Sequence, residues 1–245
     1  MTECSAVMAK DGVLADVRSG PPLSIRKVRD ADPMLCHLCL VGSAAGPLTG
    51  DAISLEVTVL DGAVARLSAS GAGLAQGRRA GSRGALEPPS TLRTTVHVGA
   101  DAWLDARPPP LIVSSTGSVD VGLSIDLAGS ATLCWRELLV LGRHGEPAGD
   151  AILRWSVYRD GLPLLVQTLD LRDDRTRGWA GLLDGTRVIV QALITGPGVQ
   201  ARTLVDSAHA VCQAVDGNTA LITVLDRDAA AAEHGIQSLL AALGR

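Results

Sequence analysis

The chain has 245 residues, is 47% hydrophobic and 20% charged, and so can bury one sizeable core. Its 22 basic and 26 acidic residues leave a formal charge of −4, and aromatics make up only 2%. That balance argues against a disordered chain, a polyanion-attracting basic surface, base-stacking nucleic-acid readers and aromatic-walled sugar sites.

Charged residues Glu3, Lys10, Asp11, Asp16 and Arg18 interrupt the N-terminal apolar run, which argues against a signal peptide. No uncharged apolar stretch reaches the roughly 20 residues of a membrane helix. Residues 1–22 read as a flexible N-terminal segment, and residues 23–245 as one β-rich domain in a cytoplasmic protein. The five cysteines are odd in number and irregularly spaced, unlike a disulfide framework.

Strands are expected at 23–29, 34–41, 53–60, 63–68 and 91–98, then at 119–127, 131–141, 153–159, 163–171 and 186–194. Ile53, Leu55, Val57 and Val59 alternating with Ser54, Glu56 and Thr58 show the period of two most plainly. Five Asp-Gly pairs, at 11–12, 61–62, 160–161, 184–185 and 216–217, suit tight turns because Gly adopts positive φ freely and Asp tolerates it. Short turns between such strands predict antiparallel pairing. The Gly-rich stretch 71–90, with Arg78, Arg79 and Arg83, reads as a solvated loop, or as a segment that orders on a partner. Leu204, Ala208, Val211, Cys212 and Val215 have helical spacing, a strand is expected at 219–225, and Asp228 suits the N-cap of a helix over 229–243. Residues 203–245 thus read as a small α-β-α element.

Cys36-His37-Leu38-Cys39 invites a metal or redox reading, but a strand sends residues three apart to opposite faces, and a second ligand pair is missing. Buried structural thiols are the simpler reading of Cys36 and Cys39; a thiol-based metal-binding or redox protein is the alternative. The chain lacks GxxxxGK[ST], HExxH and GxSxG motifs, and no helix pattern follows Gly71, Gly73 and Gly77, so no catalytic residue and no stably bound cofactor is assigned. Three carboxylates stand in apolar or Gly-rich settings: Asp51, Glu137 and Asp170. Burying a carboxylate costs energy unless donors or a cation compensate it, so these three are candidates for lining a polar interior path.

Three ordered blocks resemble one family. Cys36-His37-Leu38-Cys39-Leu40-Val41 with Gly46 and Gly50-Asp51 is similar to the strand and glycine turn of the urease accessory protein UreD (UreH). Trp135-Arg136-Glu137, with Gly142-Arg143 and Gly145-Glu146, resembles its middle segment. Arg154-Trp155-Ser156-Val157-Tyr158-Arg159-Asp160-Gly161 resembles its hairpin. The likeness runs from about residue 23 to residue 243.

The resemblance implies a mainly β, β-helix-like open scaffold of stacked antiparallel and mixed sheets. It also implies a chaperone rather than an enzyme, one that joins UreF, the GTPase UreG and apo-urease and assists nickel delivery. A dimer within the accessory complex is compatible with it. Asp51, Glu137 and Asp170 would then form a transient nickel path, with sparse oxygen ligands suiting passage better than a thiolate cage. Gly46, Gly50 and Gly161 would shape the backbone, Trp135 and Trp155 would pack the core, and Arg143 and Arg154 would pair with interior acids or face a partner.

Overall fold

A computed structural model describes residues 1–77, 88–207 and 209–244. The strands begin with β1 (Thr2–Met8), β2 (Leu14–Arg18), β3 (Leu23–Val28), β4 (Leu35–Gly42), β5 (Ala52–Val59) and β6 (Val64–Ala69). There follow β7 (Gly73–Ala75), β8 (Ser90–Val98), β9 (Trp103–Ala106), β10 (Leu111–Val113), β11 (Ser118–Leu127) and β12 (Thr132–Leu141). The last are β13 (Asp150–Arg159), β14 (Leu162–Asp170), β15 (Val188–Thr195), β16 (Leu204–Ser207), β17 (Ala210–Asp216) and β18 (Thr219–Asp226). Helices α1 (Asp174–Gly178) and α2 (Ala229–Ala242) complete the elements.

The strands form two mixed sheets. The first has the order β14-β13-β11-β8-β5-β1-β2, and the second runs β16-β17-β18-β15-β12-β9-β6-β4-β3, with β10 and β7 branching from β12. The chain crosses repeatedly from one sheet to the other: β5 to β6, β8 to β9, β11 to β12. Neighbours from successive crossings are therefore parallel, as in β5–β8, β8–β11, β6–β9 and β9–β12. This is the expected β-helix-like stack, built largely on parallel pairing where hairpins were expected.

The corners explain the difference. Asp61-Gly62 turns the chain between sheets rather than back along one, and only Gly62 of that pair has positive φ. The Asp61 carboxylate accepts from the Ala100 N–H of the next corner at 2.8 Å, and the Asp101 N–H donates to Ser130 Oγ at 2.9 Å. The Gly129 N–H then donates to Asp160 at 2.9 Å. Buried Ala63, Ala102 and Ala131 stack beneath these turns. Asp11-Gly12 and Asp160-Gly161 do close antiparallel hairpins, with both residues of each pair at positive φ.

Gly99 sits where the corners touch. A Cβ there would lie 2.3 Å from Asp61 Oδ1 and 2.7 Å from the Asp61 backbone nitrogen. Gly99→Ala is expected to cost about 1–3 kcal/mol of stability, as overpacking does, read from urea unfolding.

Residues 1–22, expected to be flexible, instead carry β1 and β2. Strand β1 pairs in parallel with β5 and buries Cys4, Ala6 and Met8 in the core. The helix expected at 203–215 is likewise replaced by β16 and β17, which extend the second sheet from β18. A free sheet edge and the β-branched Val205, Val211 and Val215 outweigh the helical spacing; Ala208 lies outside the described residues. The final helix is as expected. Asp228 caps α2 by accepting from the Ala231 N–H at 2.9 Å, and Gly244 follows with φ of +77°. Of the loop expected at 71–90, residues 78–87, with all three arginines, lie outside the described residues.

Helix α2 covers the outer face of β15, β17 and β18 with Ala232, Ile236, Leu239 and Leu240. Strand β15 is thereby buried on both faces: Val190, Ala192 and Ile194 meet the helix side, while Ile189, Gln191 and Leu193 point between the sheets. Two apolar clusters fill the space between the sheets. One centres on Leu38, Val57, Leu104, Ile125 and Leu133, the other on Val113, Leu141, Leu153 and Leu171. The candidate site lies where they meet.

Candidate functional site

Alternation along β12 sends Trp135, Glu137 and Leu139 toward the first sheet. Trp135 Nε1–H donates to Glu137 Oε1 at 2.9 Å. From β13 in the facing sheet, Trp155 Nε1–H donates to Oε2, also at 2.9 Å. Both indoles are fully buried, and each carboxylate oxygen is held by one neutral donor. Burial pushes the Glu137 carboxyl above the usual carboxylate range, and the two indole hydrogen bonds oppose that shift only in part.

Glu137 lines a cavity of about 200 Å³ between the sheets, walled by Leu40, Ile53, Leu55, Leu92, Leu111, Leu139, Leu153 and Ile189. It is the one carboxylate among the described lining residues. The cavity reaches a Gly- and Pro-rich rim formed by Pro22, Gly42, Gly46, Pro47, Gly71, Gly73, Pro108 and Pro109, where Ala44, Gly71 and Ala72 are exposed. At its inner end, Gln191 stands opposite Glu137 in register. Gln191 accepts from Gln167 Nε2 of the first sheet at 3.1 Å and donates to Thr223 Oγ1 at 3.4 Å. A polar thread therefore crosses an otherwise apolar interior.

The three candidate carboxylates are not brought together. Asp51 stays at the rim: its Oδ2 accepts from the Leu48 N–H at 2.8 Å, closing the turn that contains Gly46 and Gly50, both at positive φ. Asp170 is at the end of β14, half exposed, where Arg172 Nε donates to it at 2.8 Å. Edge placement, invisible in a Leu-Asp-Leu triplet, accounts for that correction. Arg143 and Arg154 do not pair with interior acids either. Arg143 bonds Glu146 in an exposed loop, and Arg154 shares Asp120 with Arg93 on the outer face of the first sheet.

Arg172 and Arg143 hold the Asp170 and Glu146 carboxyls down at about 2. A depressed folded-state pKa contributes stability that is complete above the ordinary carboxylate range and is lost as pH falls toward 2. Asp170→Asn should therefore lower stability by a small amount at neutral pH, with the difference from the unsubstituted protein shrinking as pH falls from about 4 toward 2, measured by urea midpoints.

Cys36 is buried in the core and Cys39 is half-buried on the other face of β4, so the two thiols diverge as expected. His37, beside Cys39, has Nδ1 3.1 Å from Asp30 and Nε2 2.9 Å from Ser68 Oγ. Asp30 also pairs with Arg66 at 3.2 Å, Arg66 reaches Asp105 at 3.5 Å, and Asp105 meets Arg136 at 3.3 Å. This charged row crosses β4, β6, β9 and β12 on the outer face. The sequence offered only alternation as its signal, because its members are far apart in the chain. Among the described residues no group of three or more His, Cys, Asp or Glu is placed to hold a metal ion.

A sequence-family model described as UreD urease accessory protein matches residues 5–245. The chain belongs to the UreD family. It is 34% identical over 241 residues to urease accessory protein UreD 1 of Saccharopolyspora erythraea, spanning 95% of this chain and 91% of that protein. It is 34% identical over 191 residues to UreD 3 of Streptomyces griseus, spanning 77% and 73%. UreD of Streptomyces coelicolor is 32% identical over 244 residues, spanning 96% and 92%. This membership supports a role in urease maturation and gives two of the UreD-like blocks a physical meaning. The first contributes Trp135 and Glu137 and the second Trp155, and the two indoles hold the carboxylate that lines the cavity. Among the described residues, no helix is long and apolar enough to cross a membrane.

Proposed function

We propose that this chain is a non-catalytic cytoplasmic scaffold for urease maturation, docking UreF, the GTPase UreG and apo-urease, and that nickel crosses it through the inter-sheet cavity. The observation that carries the reading is Glu137: one buried carboxylate, with two neutral donors, in an apolar passage. An apolar wall alone would bar a divalent cation, since nothing there replaces its hydration. Three convergent ligands would trap it. A single oxygen donor with Gln191 opposite lowers the barrier while leaving the ion free to move on. Asp51 serves by closing the rim turn, and its contribution is the shape of the entrance.

The test is co-expression of urease with its accessory proteins, with and without this chain. The expected result is that the chain co-elutes with UreF and UreG, and that omitting it leaves urease depleted of nickel and inactive. Full nickel occupancy without the chain would overturn the reading.

A further inference from the structure

On the outer face of the second sheet, away from the cavity, a crevice of about 600 Å³ lies between α2 and strands β9 and β12. Its floor is Trp103, Thr132 and Cys134, one wall is Gln237 and Ala241 of α2 above the buried Leu240, and Arg107 and Arg136 line it together with one carboxylate, Asp105. Arg136 is only 7% exposed, its Nη2 bonds Asp105, and its Nε is buried with no hydrogen-bond partner among the described residues. Asp105 is already shared with Arg66. Arg107 and Arg136 against Asp105 leave the crevice lining with one excess positive charge, on a chain whose formal charge is −4. Glu233, which accepts from Gln237 Nε2 at 3.5 Å, is an acid one helical turn before it in α2, outside the crevice lining.

We propose that this crevice docks an acidic, amphipathic segment of a partner protein. Its carboxylates meet Arg107 and Arg136, and its apolar side chains cover Trp103 and the Ala241 flank of α2. The charge complementarity selects an acidic occupant, since guanidinium–carboxylate pairs are strong and geometrically specific when shielded from water. The mixed lining selects polypeptide over a small anion, because a phosphate would leave Trp103 and Ala241 uncovered.

The inference rests on the docking role proposed above, but its test needs neither urease nor nickel, so its failure would leave that role standing. Fluorescence anisotropy of the full chain is measured with a fluorescein-labelled Glu/Leu amphipathic peptide, and with a Lys/Leu counterpart. The Glu/Leu peptide should bind, and Arg107→Gln and Arg136→Gln should each weaken it about tenfold, equivalent to about 1.4 kcal/mol. Arg18→Gln, at an exposed pair with Glu3 on the first sheet, should leave binding unchanged. Arg107 is exposed, so its variant keeps the fold even where Arg136→Gln does not. The proposal is overturned if the Glu/Leu peptide fails to bind, if the Lys/Leu peptide binds as well, or if Arg107→Gln has no effect. Displacement of the peptide by inorganic pyrophosphate or by a single-stranded RNA oligonucleotide would equally overturn it, reassigning the crevice to small anions or to nucleic acid.

Discussion

Replacing Glu137 by glutamine is expected to lower the nickel content and activity of co-expressed urease by about tenfold or more, the order expected when a site loses its charged ligand. The amide keeps the volume of the side chain. It offers one carbonyl to one indole, turns an NH₂ toward the other, and presents no negative charge to a passing cation. The folded protein should still co-elute with its partners, which separates a defect in passage from a defect in docking. Asp170→Asn is the matched control, because Asp170 is at the sheet edge with Arg172 and has no place in the cavity. Equal nickel loading in the Glu137→Gln and unsubstituted proteins would remove Glu137 from the route.

Trp155→Ala should lower stability by about 3–5 kcal/mol, the usual loss on truncating a buried aromatic. Trp155→Phe isolates the hydrogen bond. It keeps most of the packing and should cost about 1–3 kcal/mol, because a buried carboxylate oxygen loses its donor. That cost carries a pH signature. The indole favours the ionised form of Glu137 and so opposes the upward push of burial. Without it the folded-state carboxyl titrates higher still, so the folded state holds its proton where the unfolded chain has released it. Stability must then fall as pH rises through that interval, and the gap between Trp155→Phe and the unsubstituted protein should widen toward neutral pH. Urea midpoints measured from acid to neutral pH read this directly. A gap independent of pH would mean that the Trp155 contribution is packing alone.

Much of the strand content was legible because alternation is a local property. Ile53 to Val59 announces a half-buried strand whatever pairs with it, and the same holds for 91–98 and 119–127. Pairing direction was not legible. Asp61-Gly62 and Asp160-Gly161 share one turn chemistry, yet the first makes a corner between sheets and the second a hairpin, and the choice rests on what stacks above and below. The stretch 203–215 failed for a similar reason. Its apolar spacing fits a helix, but the open edge of β18 offered its backbone a ladder of hydrogen bonds, which spacing cannot register.

The candidate site divides along the same line. Placing Glu137 among apolar neighbours flagged a carboxylate under desolvation, and the ordered blocks around Trp135 and Trp155 pointed to the UreD family. Asp170 carried the same local flag and proved to be a half-exposed partner of Arg172. By itself the sequence determined that the chain is strand-rich, which face of most strands is apolar, and where the final helix is capped, since these follow from interactions within a few residues. Only the tertiary structure decided that Trp155 reaches Glu137 across two sheets, that Gln191 faces it, and that Arg136 lies buried beside α2. Those contacts join residues tens of positions apart, and their energy comes from closing the stack rather than from any local preference.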